Sequence, residues 1–290
     1  MFVLRRLFLS ERTPMDLQAL SSIDGFLSTC LLITAAICLL AVLVSWYTVR
    51  GRIQLSQIIL GLFAFVLVMM LENIFSVAWN PETMPTTGAV YALYTLLSVV
   101  VSREAIRILI MKFGLVDRFR DTDSAIGFAL GFGGLYLLTC AFYYFSLYTT
   151  VNEFLTSGAE AFFVNTSTDS QEAYDLLVTI SEQTSWQYIF TGINRVFYMV
   201  REIALSVLVW YGLTDEKKRG LLILAPVMHL VAMVPDSLFG ASIISNSYLK
   251  DVLTFILSGG IAFVAARAYN KNEDQVAHFK VEKLRARKRR

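Results

Sequence analysis

Apolar residues dominate this chain in long runs, broken at short polar intervals. Seven runs come close to the ~20 residues a helix needs to cross a bilayer. They cover about 26–49, 55–79, 88–111, 124–148, 187–212, 220–243 and 248–268. The pattern predicts an all-α integral membrane protein, a polytopic bundle of about seven transmembrane helices. The first run is too long for a signal peptide and lacks a small-residue cleavage site. Of the 290 residues, 56% are hydrophobic, and the mean hydropathy is +0.59. A soluble domain stays nearer 45–50% apolar.

Charge sets the expected orientation. Arg50 and Arg52 flank the first short connection. Lys112, Arg118 and Arg120 mark the third, and Lys217, Lys218 and Arg219 the fifth. The end of the chain carries eight Lys or Arg after Asn270. Residues 149–185 hold no Lys or Arg, but do hold Glu153, Glu160, Asp169, Glu172, Asp175 and Glu182. By the positive-inside rule the basic connections are cytoplasmic and 149–185 is external, giving an N-out/C-in topology. Arg5, Arg6 and Arg12 run against it. Either the chain starts at Met15, or residues 1–9 lie on the membrane as an amphipathic strip. The expected organisation is an N-terminal segment 1–25, one transmembrane bundle 26–268 with an external loop 149–186, and a basic cytoplasmic tail 269–290. The expected location is a plasma membrane, crossed several times. The tail suits anionic lipid, or simply fixes topology.

The long external loop has helical spacing at Ala173, Leu176, Leu177 and Ile180, predicting a short helix over 171–181. It acts as a lid or as a solvated loop. Asn165-Thr166-Ser167 matches a glycosylation sequon, read as coincidence. The net charge of +2 gives no reason to expect nucleic acid. Cys30, Cys38 and Cys140 all lie in apolar runs without CxxC spacing, so they read as packing residues.

The chemistry lies in charges at membrane depth. These are Arg103, Glu104 and Arg107 in the third run, Arg195, Arg201 and Glu202 in the fifth, and His229 in the sixth. Each charge costs roughly 2.5–3.5 kcal/mol at the centre of a spanning helix, so such groups face a bundle interior and mark a functional site. At 1.5 Å rise per residue, Glu104 and Glu202 sit about 22 Å from the outer side and His229 about 14 Å from the inner side. All three then fall in the inner half of a core of about 30 Å. Glu104 and Arg107 are i, i+3 neighbours and can pair, while Arg103 points elsewhere. Arg195, Tyr198 and Glu202 share a face, as do His229, Met233 and Asp236. Glu72 reads as interfacial. Gly127 and Gly131 form a small-xxx-small face for close helix packing, and Ser258-Gly259-Gly260 reads the same way.

His229, Glu202 and Glu104 are candidate metal ligands, with Glu104 the candidate catalytic carboxylate. A catalytic zinc takes about three protein ligands and an open position. There is no HExxH, and the other histidine, His278, is in the tail. The competing reading is a buried network without metal, joining Glu104 to Arg107, Glu202 to Arg195 or Arg201, and His229 to both. Arg103, Arg107, Arg195 and Arg201 are then candidate binding residues for a lipid phosphate.

Four segments in order resemble the YhfC family of bacterial membrane proteins, grouped with intramembrane metalloproteases. Arg103-Glu104-Ala105-Ile106-Arg107 resembles that family's Glu-Glu-x-x-Arg motif. Gly131-Phe132-Gly133-Gly134-Leu135-Tyr136 resembles Gly-His-Gly-Gly-x-Glu. Asn194 to Ser206 resembles a segment with Arg followed by His, and Leu224 to His229 the final His segment. Gly61-Leu62-Phe63-Ala64-Phe65 fits as well. The resemblance implies an intramembrane peptidase fold and zinc. The departures imply the reverse for activity: Arg103 stands for the first Glu, Phe132 and Tyr136 for His and Glu, and Glu202 for His. The leading expectation is therefore a member with degenerate motifs, without cofactor, binding a membrane lipid or a membrane-protein partner. An altered zinc metalloprotease acting on a peptide substrate is the alternative. A small transporter is the third, disfavoured because no internal repeat is visible.

Overall fold

A computed structural model describes residues 20–79, 84–116, 118, 121–165 and 170–288, with side chains to 269 and without that of 165. Residues 1–19 (Arg5, Arg6, Arg12 and Met15 among them), Arg120, Asp169, the sequon and the side chains of the basic tail lie outside the described set. Every regular element among the described residues is helical. The helices are α1 (Gly25–Val49), α2 (Leu55–Ala78), α3 (Gly88–Ile110), α4 (Asp123–Ser157), α5 (Ala159–Asn165), α6 (Ser170–Ser181), α7 (Ser185–Thr214), α8 (Leu221–Gly240) and α9 (Ser247–Lys288).

Local chemistry explains several of their starts. The Asp24 carboxylate accepts from the Leu27 N–H at 2.7 Å, Asp121 from Ser124 at 2.9 Å, and Asn246 from Leu249 at 3.1 Å. Each satisfies a first-turn donor that the helix leaves orphaned. Gly158 adopts φ +77° between α4 and α5, a left-handed turn that suits glycine.

Among the described residues six helices are long and apolar enough to cross a membrane: α1, α2, α4, α7, α8 with its preceding turn, and α9 up to Tyr269. The expected seventh, α3, is 23 residues long, but Arg103, Glu104 and Arg107 in its last two turns lower its apolar character. A π-helical turn, Met111–Leu115, ends it.

The chain divides into two compact units. One takes the described residues of Met1–Leu40 and Leu138–Ile193, the other Ala41–Leu137 and Asn194–Arg290. The first holds the segment expected as an external loop, and that segment is largely helical. α4 continues to Ser157, and α5 and α6 follow it. Phe154, Phe162, Tyr174, Leu177 and Ile180 are buried there with Leu20, Leu27, Leu31, Tyr144 and Val151. The predicted helix over 171–181 is α6, and it buries Tyr174, Leu177 and Ile180. A solvated loop is thus the wrong picture: apolar spacing gives this stretch a core.

The second unit carries the embedded charges. There α3 packs against α2 and α8, and α8 against α9. Phe65, Phe128, Phe132, Met111, Leu208 and Trp210 are in its core. On α2 the inward face is Gln57, Gly61, Ala64, Phe65 and Val68, while Ile59, Phe63, Val66, Met70 and Ile74 are exposed. Both faces are apolar because the outer one meets lipid tails rather than water. At the α2–α4 crossing a Cβ added at Gly61 would strike the Phe128 carbonyl oxygen, and one at Gly131 the Ile58 carbonyl oxygen. Gly127 faces the Gln57 side chain, whose Nε2 donates to Ser124 Oγ at 2.9 Å. Gly259 and Gly260 behave differently from expectation. Nothing lies within 4 Å of a Cβ at either, so only Ser258 of that trio turns inward.

Candidate functional site: a buried arginine–carboxylate–histidine network

α3, α7 and α8 bring their charges to one place inside the second unit. Arg107, Arg201, Glu202 and His229 are each fully buried, and Glu104 is 4% and Arg103 7% exposed. The centre is Arg107. Its Nη1 donates to Glu104 Oε1 one turn back on α3, and its Nη2 donates to Glu202 Oε2 on α7. One guanidinium thus joins two carboxylates through separate nitrogens, the geometry that makes arginine a strong partner for oxyanions. The Phe132 ring lies 5.3 Å from the Arg107 guanidinium carbon and closes that side.

His229 completes the core of the network. Its Nδ1 is 2.5 Å from Glu104 Oε1 and its Nε2 is 3.8 Å from Glu202 Oε1. The expected pairing of Glu104 with Arg107 is present. The expected pairing of Glu202 with Arg195 or Arg201 is not: Glu202 takes Arg107, because Arg107 of α3 reaches across to α7 while Arg201 turns toward α8.

A second layer surrounds this core. Arg103 points away from Glu104, as its position on α3 predicts. Its Nε donates to Glu72 Oε1 on α2 at 2.8 Å. Glu72 is therefore a network member rather than an interfacial residue. The sequence signal was an acid inside an otherwise apolar helix, the same signal that marks Glu104 and Glu202. Arg195 Nη1 donates to the Tyr136 hydroxyl at 2.5 Å, and the Tyr136 and Tyr198 rings lie 4.1 Å apart. In the sequence Tyr198 is legible only as a face neighbour of Arg195 and Glu202, and Tyr136 only as a departure from the family's motif, since an aromatic in an apolar run carries no special signal. Arg201 donates to the Ala232 carbonyl at 3.4 Å and contacts Met233 Sδ at 3.1 Å. So Met233 joins the site with His229, while Asp236 makes no ion pair within 4 Å among the described residues. A separate polar group lies at the start of α9, where Asp251 accepts from Asn194 Nδ2 and pairs with Lys250 Nζ, each at 2.8 Å.

The three candidate metal ligands do meet, but the arrangement does not fit a zinc ion. Both carboxylates are already bound to one guanidinium, and Glu104 Oε1 also holds His229 Nδ1. A cation of fixed charge is built into the place where the two carboxylates converge. Among the described residues no three His, Cys, Asp or Glu side chains are disposed to hold a metal.

No curated protein and no solved structure matches the chain. The family model described as YhfC intramembrane metalloprotease matches residues 35–254, more than half of the chain, and spans every charged residue of this network and of the polar group beside α9, from Glu72 to Asp251. The chain belongs to the YhfC family of intramembrane metalloproteases.

Proposed function

We propose that the protein is a non-hydrolytic member of its family, which binds a membrane lipid or a membrane-protein partner through the embedded charge network. One observation carries this reading. Arg107 bonds one oxygen of Glu104 and one of Glu202, so a fixed positive charge already sits between the two acidic candidates for metal ligation and general-base work. A general base must be free to take a proton from water, and a catalytic metal needs an open coordination position. Residues that stand where the family's motifs have other side chains support it too: Phe132 packs on that arginine, and Arg103 is tied to Glu72.

Metal analysis of the detergent-purified protein tests the proposal. The expected result is no zinc above background in the parent or in His229→Ala. Stoichiometric zinc in the parent, lost in His229→Ala, would show a working metal site. That outcome is the second reading, an altered metalloprotease, favoured by the convergence of His229 on both Glu104 and Glu202.

We place the protein in a plasma membrane with its C-terminal end in the cytoplasm, on the strength of Lys217, Lys218, Arg219 and the basic end of the chain. A fluorescent protein fused after Arg290 should fluoresce, and alkaline phosphatase fused there should be inactive. An active phosphatase fusion reverses the orientation.

A further inference from the structure

Among the described residues each carboxylate of the network holds an arginine, though Glu104 Oε2 and Glu202 Oε1 keep no hydrogen-bond partner, but not every arginine holds a carboxylate. Glu72 holds Arg103, and Glu104 and Glu202 hold Arg107. Arg201 is fully buried, and among the described residues no carboxylate lies within 4 Å of it. Its acceptors are a long contact to the Ala232 carbonyl, 3.4 Å, and the Met233 thioether, 3.1 Å. A thioether is a weak acceptor. Its Nε has none. A buried cation in this condition is strongly disfavoured until an anion meets it.

Two further donors share the condition at the same ring. Arg201 and Arg103 have their guanidinium carbons 4.5 and 5.0 Å from the Tyr198 ring centroid. The Tyr198 hydroxyl and Arg103 Nη1 are buried and have no hydrogen-bond partner among the described residues. Glu202 Oε1, 3.9 Å from that Nη1, is beyond hydrogen-bond reach. Among the described residues, Arg201 Nε, Arg103 Nη1 and the Tyr198 hydroxyl thus gather about one aromatic ring without a hydrogen-bond acceptor. The Nε–Nη2 edge of Arg201 is the planar fork that grips phosphate or carboxylate through two oxygens.

We propose that Arg201, Arg103 and the Tyr198 hydroxyl form a binding site for the oxyanion of a ligand, a phosphate or carboxylate group. Arg107 is not part of it, because its charge is used within the network. The site rests on the non-hydrolytic reading and names the chemistry that such a binding protein recognises.

Thermal unfolding of the full chain in dodecyl maltoside tests this, with two probes. One is inorganic phosphate against chloride at equal ionic strength. The other is phosphatidic acid against diacylglycerol, which lacks the phosphate. The expected result is a saturable rise in midpoint with at least one phosphate-bearing probe. A rise with inorganic phosphate identifies a soluble oxyanion as sufficient, and a rise with phosphatidic acid alone identifies a lipid headgroup. The rise should vanish in Arg201→Met, which keeps the bulk and removes the charge. Tyr198→Phe, which removes only one oxygen, should weaken binding about tenfold, the worth of one hydrogen bond to a charged group. No rise with either probe, or an equal rise in parent and Arg201→Met, overturns the proposal. Should Arg201→Met not fold, unchanged affinity in Tyr198→Phe overturns it. Zinc measured in the same preparation separates the two claims. Zinc-free protein without a rise removes only the oxyanion site, whereas stoichiometric zinc removes the non-hydrolytic reading.

Discussion

Replacing Arg107 by alanine should destabilise the protein by about 3–5 kcal/mol, the penalty for breaking a buried ion pair by deleting one partner. The figure is large against a total of about 5–15 kcal/mol for a typical domain. It follows from burial: Arg107 and Glu202 have fully buried side chains, and that of Glu104 is 5% exposed. Without the guanidinium, two carboxylates remain in an apolar interior, with His229 beside them and Arg103 3.9 Å from Glu202. Arg219→Ala is the contrast, because the Arg219–Glu216 pair is 71% and 87% exposed. Its loss should cost about 0–1 kcal/mol. Unfolding in detergent measures both.

The Arg107→Ala protein carries a second expectation. If the guanidinium stands where a metal cation would, its removal frees Glu104, Glu202 and His229 together. Added zinc should then restore part of the lost stability, in proportion to how far it exceeds its dissociation constant, and should leave the parent unchanged. Zinc stabilisation of the parent as well would mean that Arg107 does not exclude metal. No effect of zinc on the variant would mean that the three donors are not one site.

Gly61→Ala should be the second large effect. A single methyl group there meets the Phe128 carbonyl oxygen and, at 2.8 Å, the Phe132 backbone nitrogen. Those atoms cannot rotate away as a side-chain end would, so α2 and α4 must separate. Overpacking of this kind costs about 1–3 kcal/mol, occasionally more. The displaced turn includes Phe132, which lies on Arg107, so the strain reaches the charge network. Gly260→Ala should go the other way. It meets nothing within 4 Å and replaces a poor helix former with the best one, worth up to ~1 kcal/mol. Equal effects at the two positions would contradict the close crossing of α2 and α4.

Particular residues show how far the sequence could be read. The apolar runs became α1, α2, α3, α4, α7, α8 and α9, with ends within a few residues of expectation apart from α4 and α9, which run on. The i, i+3 spacing of Glu104 and Arg107 gave one true pair, since both lie on one helix. Glu72 reads as interfacial in the sequence, because position along a helix does not say which way a side chain turns. The lack of Lys and Arg after 148 reads as an external loop holding one short helix, whereas Phe154, Phe162 and Tyr174 are buried in a core of largely helical chain.

By itself, then, the sequence determined a helical membrane protein, the charges it holds at depth, and its kinship by ordered motifs. Those are local properties: the length of an apolar run and the burial cost of a charge depend on the run alone. Only the tertiary structure decided who partners whom. Arg107 rather than Arg201 holds Glu202, Glu72 holds Arg103, and Arg201 is left with a carbonyl and a thioether. Each step along a helix turns the side chain by about 100°. Pairing between helices therefore depends on the rotation and offset of elements far apart in the chain, and packing against Gly61, Gly131 and Phe132 sets these.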